Sequence, residues 1–143
     1  MLFSHVLEHL RHPSDVLRAF TELLHPEGVV LIAVPNVLAW KQRWRFLTGR
    51  FEYTETGIMD RTHLRFLTYD TADTYLLNEI DELAIVLKTV TGSVPLWLAR
   101  RHIFPLRLSE LCDSLGCRLA PNLFGTQIIL SAKKRSTETR ALT

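Results

Sequence analysis

Histidine and glutamate side chains capable of acid–base chemistry stand close together near the start of the chain. The sequence there reads His5-Val6-Leu7-Glu8-His9. An imidazole titrates near neutral pH, which makes His9 a candidate general base. Glu8 is its neighbour and can orient the ring or contact a substrate. The alternative is that both side chains hydrogen-bond nearby backbone and only shape the loop.

Charged side chains also concentrate in an irregular stretch in the middle of the chain, at residues 50–67. Arg61 and Arg65 can clamp an anionic group such as a phosphate or a carboxylate, because guanidinium groups bind both through paired hydrogen bonds. His63 is a second candidate general base, and Asp60 belongs to the same predicted substrate-binding group. The alternative is that Asp60 and Arg61 only hold the loop together.

The first cluster also fits a zinc-hydrolase pattern, because His5-Val6-Leu7-Glu8-His9 matches H-x-x-E-H. On a helix the two histidines would share a face, and Glu8 could act as the base. Such a site requires a long helix and a third ligand, whereas Pro13 follows His9 by only four residues. Zinc hydrolysis is therefore kept as a remote alternative, and no metal ligand set is predicted.

The elements that must position these residues alternate between helical and strand patterns. Pro13-Ser14-Asp15 begins a helix whose apolar residues recur at helical spacing as far as Leu24. The unbroken apolar run Val29–Val34 predicts a strand buried on both faces, as in a parallel sheet covered by helices. Further helices are predicted at 37–48, 68–79 and 106–115, and further strands at 83–90 and 127–132, with a strand stub at 1–4. This alternation predicts an α/β fold.

The ends of two of these elements carry further predictions. Asn36 directly follows the strand 29–34 and Pro35, where it either binds a substrate or caps the next helix. The helix at 106–115 is expected to end at Gly116 and to turn three leucines towards the core, namely Leu108, Leu111 and Leu115.

Composition restricts the function classes. The chain has 143 residues, the length of one ordinary domain, and residues 133–143 are predicted to be a disordered tail. A formal net charge of +2 gives no basic excess of the kind that indicates nucleic-acid binding. No apolar run reaches the length of about 18 residues that indicates a membrane span, and the N-terminus does not resemble a signal peptide. Cys112 and Cys117 do not make a disulfide framework, so a reducing cytoplasm is the expected location.

Four motifs follow one another along the chain. They are Val6–Leu10, Leu24–Gly28, Val34–Asn36 and Gly57–Thr68, which read VLEHL, LHPEG, VPN and GIMDRTHLRFLT. In this order they resemble class I S-adenosylmethionine-dependent methyltransferases, in particular the branch with quinone-type methylases and bacterial small-molecule or glycan methyltransferases. The resemblance covers about residues 1–132. It implies a Rossmann-like, seven-stranded sheet whose last strands are antiparallel, of which this chain supplies the second half.

The resemblance also implies S-adenosylmethionine as the methyl donor and an unidentified small-molecule, lipid or glycan acceptor. The expected cofactor-binding residues are Ser4, His5 and Glu8, the catalytic residues His9 and His63, and the acceptor-binding residues Asn36, Asp60, Arg61 and Arg65. No Gly-rich cofactor loop is present, since the closest two of the six glycines are eight residues apart. This half-domain alone is therefore not expected to be catalytically competent. The alternative is a non-catalytic, methyltransferase-like module that self-associates through an open sheet edge.

Overall fold

A four-stranded sheet positions the candidate residues. A computed structural model of the chain describes residues 1–96 and 102–135. Within them, β1 (Leu2–Ser4), β2 (Val29–Pro35), β3 (Leu83–Gly92) and β4 (Gly125–Lys134) lie in the order β1-β2-β4-β3. β1 and β2 are parallel, whereas β4 runs antiparallel to both of its neighbours. The predicted α/β class and the antiparallel pairing of the last two strands are confirmed.

Helices connect the strands of this sheet. Their bounds are α1 (Pro13–Glu22), α2 (Trp40–Leu47), α3 (Ala72–Leu77), α4 (Leu106–Leu119) and α5 (Pro121–Phe124), and a single 3-10 turn covers Leu7–His9. Pro13 occupies the first helical position of α1, where its fixed φ suits the helix and its missing N–H has no partner to lose. Because α1 joins the parallel strands β1 and β2, the segment is a βαβ unit of the Rossmann-like kind.

The hydrophobic core covers one face of the sheet. Every second residue of β2 is buried, beginning with Val30 and Ile32, and these side chains join buried residues of β4 and of α1. On the opposite face Val29 and Leu31 each keep 42% of their surface exposed. The prediction that this strand is buried on both faces is therefore wrong. The reason is that residues 1–96 and 102–135 cover only one side of the sheet at these positions.

Helix α4 is oriented differently from its predicted arrangement. It continues past Gly116 to Leu119, and Cys117 rather than the leucines contributes to the core. The three leucines expected inside remain 43–52% exposed, namely Leu108, Leu111 and Leu115. Gly116 is needed for close packing rather than as a helix end, because a Cβ at this position would lie 2.3 Å from Cγ2 of Val94.

The predicted C-terminal tail overlaps the end of β4. Lys133 and Lys134, assigned to a tail, continue β4 and pair with Val29 and Leu83 respectively. The rest of the predicted tail, from residue 136 onwards, lies outside the described residues, as do residues 97–101. In the part of the chain that the structure describes, no helix is long and apolar enough to cross a membrane.

Candidate functional site

A cleft opens at the edge of the sheet where β1 and β2 end. The antiparallel strand β4 begins beside Pro35, the last residue of β2. A cavity of about 490 Å³ lies at this edge. Its lining comprises His5, His9, Pro35, Gly57, Ile58, Asp60, His63, Thr126 and Gln127. Since open α/β sheets bind ligands at the carboxyl ends of their strands, this cleft is the candidate site.

Glu8 is the buried charge beneath this cleft. It lies in the 3-10 turn after β1, and its side chain has no exposed surface. Oε1 of Glu8 is 3.2 Å from Nδ1 of His5 and 3.9 Å from Nε2 of His63. Its second oxygen, Oε2, is buried and has no hydrogen-bond partner among the described residues. A carboxylate buried in this way costs free energy unless a cation or a donor compensates its charge.

Main-chain hydrogen bonds to Glu8 position His63 close to the Glu8 side chain. The Glu8 carbonyl oxygen accepts hydrogen bonds from the N–H groups of Leu64, at 2.8 Å, and Arg65, at 3.0 Å. These residues directly follow His63, whose ring is buried and lies 3.1 Å from the carbonyl oxygen of Ile58 through Nδ1. A carbonyl oxygen only accepts, so Nδ1 carries the proton. The lone pair of the neutral ring is therefore on Nε2, the nitrogen 3.9 Å from Glu8.

Thr62 and Asp60 orient His9. Nδ1 of His9 lies 3.2 Å from the carbonyl oxygen of Thr62 and 3.0 Å from its hydroxyl oxygen. The hydroxyl donates its proton to Oδ1 of Asp60 at 2.7 Å, so Nδ1 of His9 is the donor in both contacts. Hydrogen bonds from the side chain and the N–H of Thr62 hold the pKa of Asp60 below its ordinary value. Asp60 thus lines the cleft but acts on His9 through Thr62.

His5 supports Glu8 from the side of β4. The Gln127 amide nitrogen lies 2.7 Å from Nε2 of His5, while the Gln127 amide oxygen accepts from Thr91. Gln127 is therefore the donor, and His5 donates through Nδ1 to Glu8. The backbone of His5 has φ +53°, in the left-handed region that non-glycine residues seldom adopt. Such strain persists only where the surroundings impose it, and it concentrates at functional sites.

Three of these side chains form a group able to hold a metal ion. One carboxylate oxygen of Glu8 and one ring nitrogen each of His9 and His63 all lie within 4.8 Å of one another. This group differs from the H-x-x-E-H arrangement, which pairs His5 with His9 on a long helix. Residues 7–9 form only one 3-10 turn, and His5 precedes it. The zinc-hydrolase alternative therefore lacks the helix that it requires.

Asn36 has a structural role. It is fully buried, and its Nδ2 donates to the carbonyl oxygens of Gly125 at 2.7 Å and Asn122 at 3.1 Å. Its Oδ1 accepts the N–H of Leu38 at 3.0 Å, which closes the turn before α2. These bonds use both ends of the amide and favour the structural alternative, in which Asn36 links β2 with the start of β4.

The two arginines predicted to clamp an anion contact neighbouring loops in the structure. Nη2 of Arg61 pairs with Oε2 of Glu55 at 2.6 Å, and both side chains are exposed. Arg65 donates to the carbonyl oxygens of Arg11 and Leu64. Neither arginine lines the cleft at the ends of β1 and β2. Arg65 lines a second cavity instead, and its Nε is buried without a hydrogen-bond partner among the described residues. Anion binding by Arg61 and Arg65 stays a prediction.

One remaining residue near the site, Ser4, was predicted from the sequence, and two others, Thr62 and Gln127, were not. Ser4 ends β1 next to the strained His5 and is exposed, but it does not line the cavity itself. Thr62 and Gln127 were missed as site residues. Thr62 stands two residues after Asp60, a spacing typical of an Asx turn that indicates a local contact. Gln127 had no such signal, because only the register of β4 brings it to His5.

Comparison with known proteins gives a family and one structural likeness. A family model described as a methyltransferase domain matches residues 1–75, just over half of the chain. No curated protein matches. Among solved structures, an S-adenosylmethionine-dependent methyltransferase from Archaeoglobus fulgidus is similar, with 17% sequence identity and a TM-score of 0.47. The match covers 93% of this chain and 57% of that one. From the family match, the chain belongs to the methyltransferase domain family.

Proposed function

We propose that this chain forms the acceptor side of an S-adenosylmethionine-dependent methyltransferase and that methyl transfer takes place in the cleft at the ends of β1 and β2. The observation that supports this most strongly is the convergence of His5, Glu8, His9 and His63 at that cleft. A cavity at the carboxyl ends of parallel strands is where such sheets bind ligands. Membership of the methyltransferase domain family supplies the reaction class.

The proposed cofactor position is beside Ser4, His5 and Glu8, at the end of β1. The proposed acceptor position is the other side of the cavity, beside Ile58 and His63. The acceptor is a small molecule, a lipid or a glycan that presents a hydroxyl group. We propose the cytoplasm as the compartment, since the chain has two cysteines and both are free.

The proposed chemistry requires positioning and the removal of one proton. Methyl transfer is an in-line displacement at a sulfonium carbon, to which an enzyme contributes mainly by orienting the donor and the acceptor. A hydroxyl acceptor loses its proton as the new O–CH₃ bond forms. His9 and His63 are the proposed proton acceptors, because hydrogen bonds at Nδ1 leave the lone pair of each neutral ring on Nε2.

Ligand titration by NMR tests the cofactor position without requiring turnover. S-adenosylhomocysteine, the unreactive product, is added to the ¹⁵N-labelled chain, and amide shifts are followed. We expect the largest shifts at Ser4–Glu8, with adenosine alone giving smaller ones there. Saturating shifts confined to another surface, or none at millimolar ligand, would overturn the proposed cofactor position.

Exposed apolar surface on the sheet favours one further candidate, a non-catalytic interaction module. In the described residues β1 is an edge strand, and Leu2, Val29 and Leu31 expose 66%, 42% and 42% of their surface beside it. Unpaired edges with apolar neighbours pair readily with other chains. Light scattering over a hundredfold concentration range tests this candidate. A concentration-dependent dimer that Leu31→Lys abolishes would support it, and a monomer throughout would exclude self-association.

A further inference from the structure

We propose that Glu8, His9 and His63 bind one divalent transition-metal cation of the Zn²⁺ type at the floor of the cleft. The binding itself is a property of these three side chains. Only the effect of the cation on the acceptor, described below, rests on the proposed methyltransferase function.

The spacing of the three ligand atoms suits a cation after small movements. Three atoms within 4.8 Å of one another have a common point no further than about 2.8 Å from each. Bonds from Zn²⁺ to imidazole nitrogen and carboxylate oxygen are about 2.0–2.2 Å long. Each ligand atom therefore needs to move inwards by roughly 0.7 Å, which side-chain torsions allow without a change in the backbone.

The unpaired carboxylate oxygen of Glu8 independently indicates that this side chain binds a ligand. Its Oε2 atom is buried without a hydrogen-bond partner, in a side chain with no exposed surface. Buried carboxylate oxygens without partners are rare because they lose the hydration of a charged group and gain nothing in return. A cation beside the carboxylate compensates that charge directly.

The surroundings of the two histidines match those of metal ligands. A metal-bound imidazole usually donates its other N–H to a carbonyl or a carboxylate, which fixes the tautomer. Nδ1 of His63 donates to the carbonyl oxygen of Ile58, and Nδ1 of His9 donates to Thr62, which is bonded to Asp60. Both rings therefore keep an unprotonated Nε2 available for coordination when neutral.

The ligand types and the position of the site define the cation and its open side. Two imidazoles and one carboxylate suit Zn²⁺ and similar ions, whereas Mg²⁺ and Ca²⁺ prefer oxygen ligands. Three protein ligands leave at least one coordination position of a tetrahedral ion free. His9 and His63 line the cavity of about 490 Å³, so that position faces the cleft.

The cation narrows the class of acceptor. One carboxylate leaves a net positive charge on a divalent ion, which favours binding of an ionised hydroxyl oxygen. The hydroxyl proton then passes to solvent, the O–CH₃ bond forms, and the S–CH₃ bond breaks to leave a neutral thioether. With the cation bound, the lone pairs of His9 and His63 are occupied as ligands and solvent takes the proton, so both residues act as proton acceptors only in the metal-free chain. An oxygen acceptor is thus preferred over nitrogen or carbon.

Direct metal titration tests the site. The chain is stripped with EDTA, dialysed, and titrated with Zn²⁺ by calorimetry, with Mg²⁺ in a parallel titration. We expect one Zn²⁺ per chain and much weaker binding of Mg²⁺. His63→Ala and His9→Ala should each lower the Zn²⁺ affinity by at least about 10- to 100-fold. Removing a residue that only hydrogen-bonds to a metal ligand usually causes a loss of that size, and removing the ligand itself should cost no less. Thr62→Val should lower the affinity by about tenfold for that reason, and His12→Ala, an exposed histidine outside the group, serves as the control.

The outcomes are separable from those of the cofactor titration. No Zn²⁺ binding, or unchanged affinity in both His9→Ala and His63→Ala, would overturn the metal site. His9 is only half-buried, so His9→Ala keeps a folded test available if His63→Ala unfolds, which circular dichroism would show. If Zn²⁺ binds but S-adenosylhomocysteine causes no amide shifts, the metal site is supported and the proposed cofactor position is refuted. If S-adenosylhomocysteine shifts Ser4–Glu8 but Zn²⁺ does not bind, the cofactor position is supported and the metal site is refuted.

Discussion

Replacing Asn36 by alanine distinguishes a structural from a substrate-binding role at the end of β2. The side chain is fully buried and bonds to main-chain groups of Leu38, Asn122 and Gly125. It therefore links the loop before α2 to the point where β4 begins. We expect Asn36→Ala to lower the free energy of unfolding, because the buried amide and its three hydrogen bonds to the main chain are lost together.

The three bonds set the expected size of the loss. Their lengths of 2.7, 3.0 and 3.1 Å are those of well-formed hydrogen bonds. Each contributes about 0.5–1.5 kcal/mol net, so removing the amide should cost roughly 2–4 kcal/mol. Asn36→Asp keeps the acceptor for Leu38 but turns the other carboxylate oxygen towards carbonyl oxygens. That replacement should therefore destabilise the fold at least as much as alanine does.

Urea denaturation followed by circular dichroism gives the required free energies. A loss of this size lowers the midpoint by about 1–2 M for ordinary urea dependence. The control is Asn78→Ala, at an exposed asparagine after α3, for which we expect a change within about 0.5 kcal/mol. If Asn36→Ala were as stable as the wild type, the structural assignment would be refuted and acceptor binding would be the remaining candidate role of Asn36.

Three further predictions follow from other contacts. Gly92→Ala should lower the free energy of unfolding by about 1–3 kcal/mol in urea, because the new Cβ would lie 2.0 Å from the carbonyl oxygen of Phe124. Burial alone would raise the pKa of Asp73, but its ion pair with Lys88 at 2.7 Å outweighs this and lowers the pKa. Asp73→Asn should therefore cost about 1.5–3 kcal/mol at pH 7, and acid denaturation should show the difference disappearing as the pH falls below about 4. Burial, reinforced by Asp113, raises the pKa of the Cys117 thiol, so iodoacetamide should modify Cys117 slowly at pH 8 and faster at higher pH, while the less buried Cys112 reacts first.

The sequence predicted the elements better than the faces they bury. Most helices and strands were found from local periodicity and from turn residues, and their ends differ by a few residues. The apolar run in β2 and the leucines of α4 were misinterpreted for the same physical reason. Periodicity shows that a side chain is apolar, but whether it is buried depends on what the rest of the fold brings against it. Val29 and Leu115 are examples: both are apolar, and both remain partly exposed in the part of the chain that the structure describes.

The candidate site shows the same division between local and long-range information. His9, Asp60 and His63 were identified from residue type and His5 from the family resemblance, and all four lie around one cleft. Their partners could not be inferred, because a carboxylate or a guanidinium offers the same groups to a ligand and to a neighbouring main chain. Arg65 illustrates this, since a guanidinium predicted to bind an anion donates two hydrogen bonds to carbonyl oxygens.

Two departures from ordinary protein energetics adjoin each other at the end of β1, and they have one explanation. His5 holds a left-handed φ of +53°, and Glu8 buries an oxygen without a partner. Each lowers stability, and an apolar residue at position 8 or a glycine at position 5 would relieve one of them. The strain at His5 places Nδ1 of its ring on Oε1 of Glu8, while the backbone of Glu8 holds the residues after His63. A chain optimised for stability alone has no use for this arrangement, whereas a ligand site requires a charged group fixed in position before the ligand arrives. Combining His5→Gly with Glu8→Leu should therefore give a chain at least as stable as the wild type that has lost its Zn²⁺ affinity, and a double variant that unfolds more easily but still binds Zn²⁺ would show that both residues serve the fold instead.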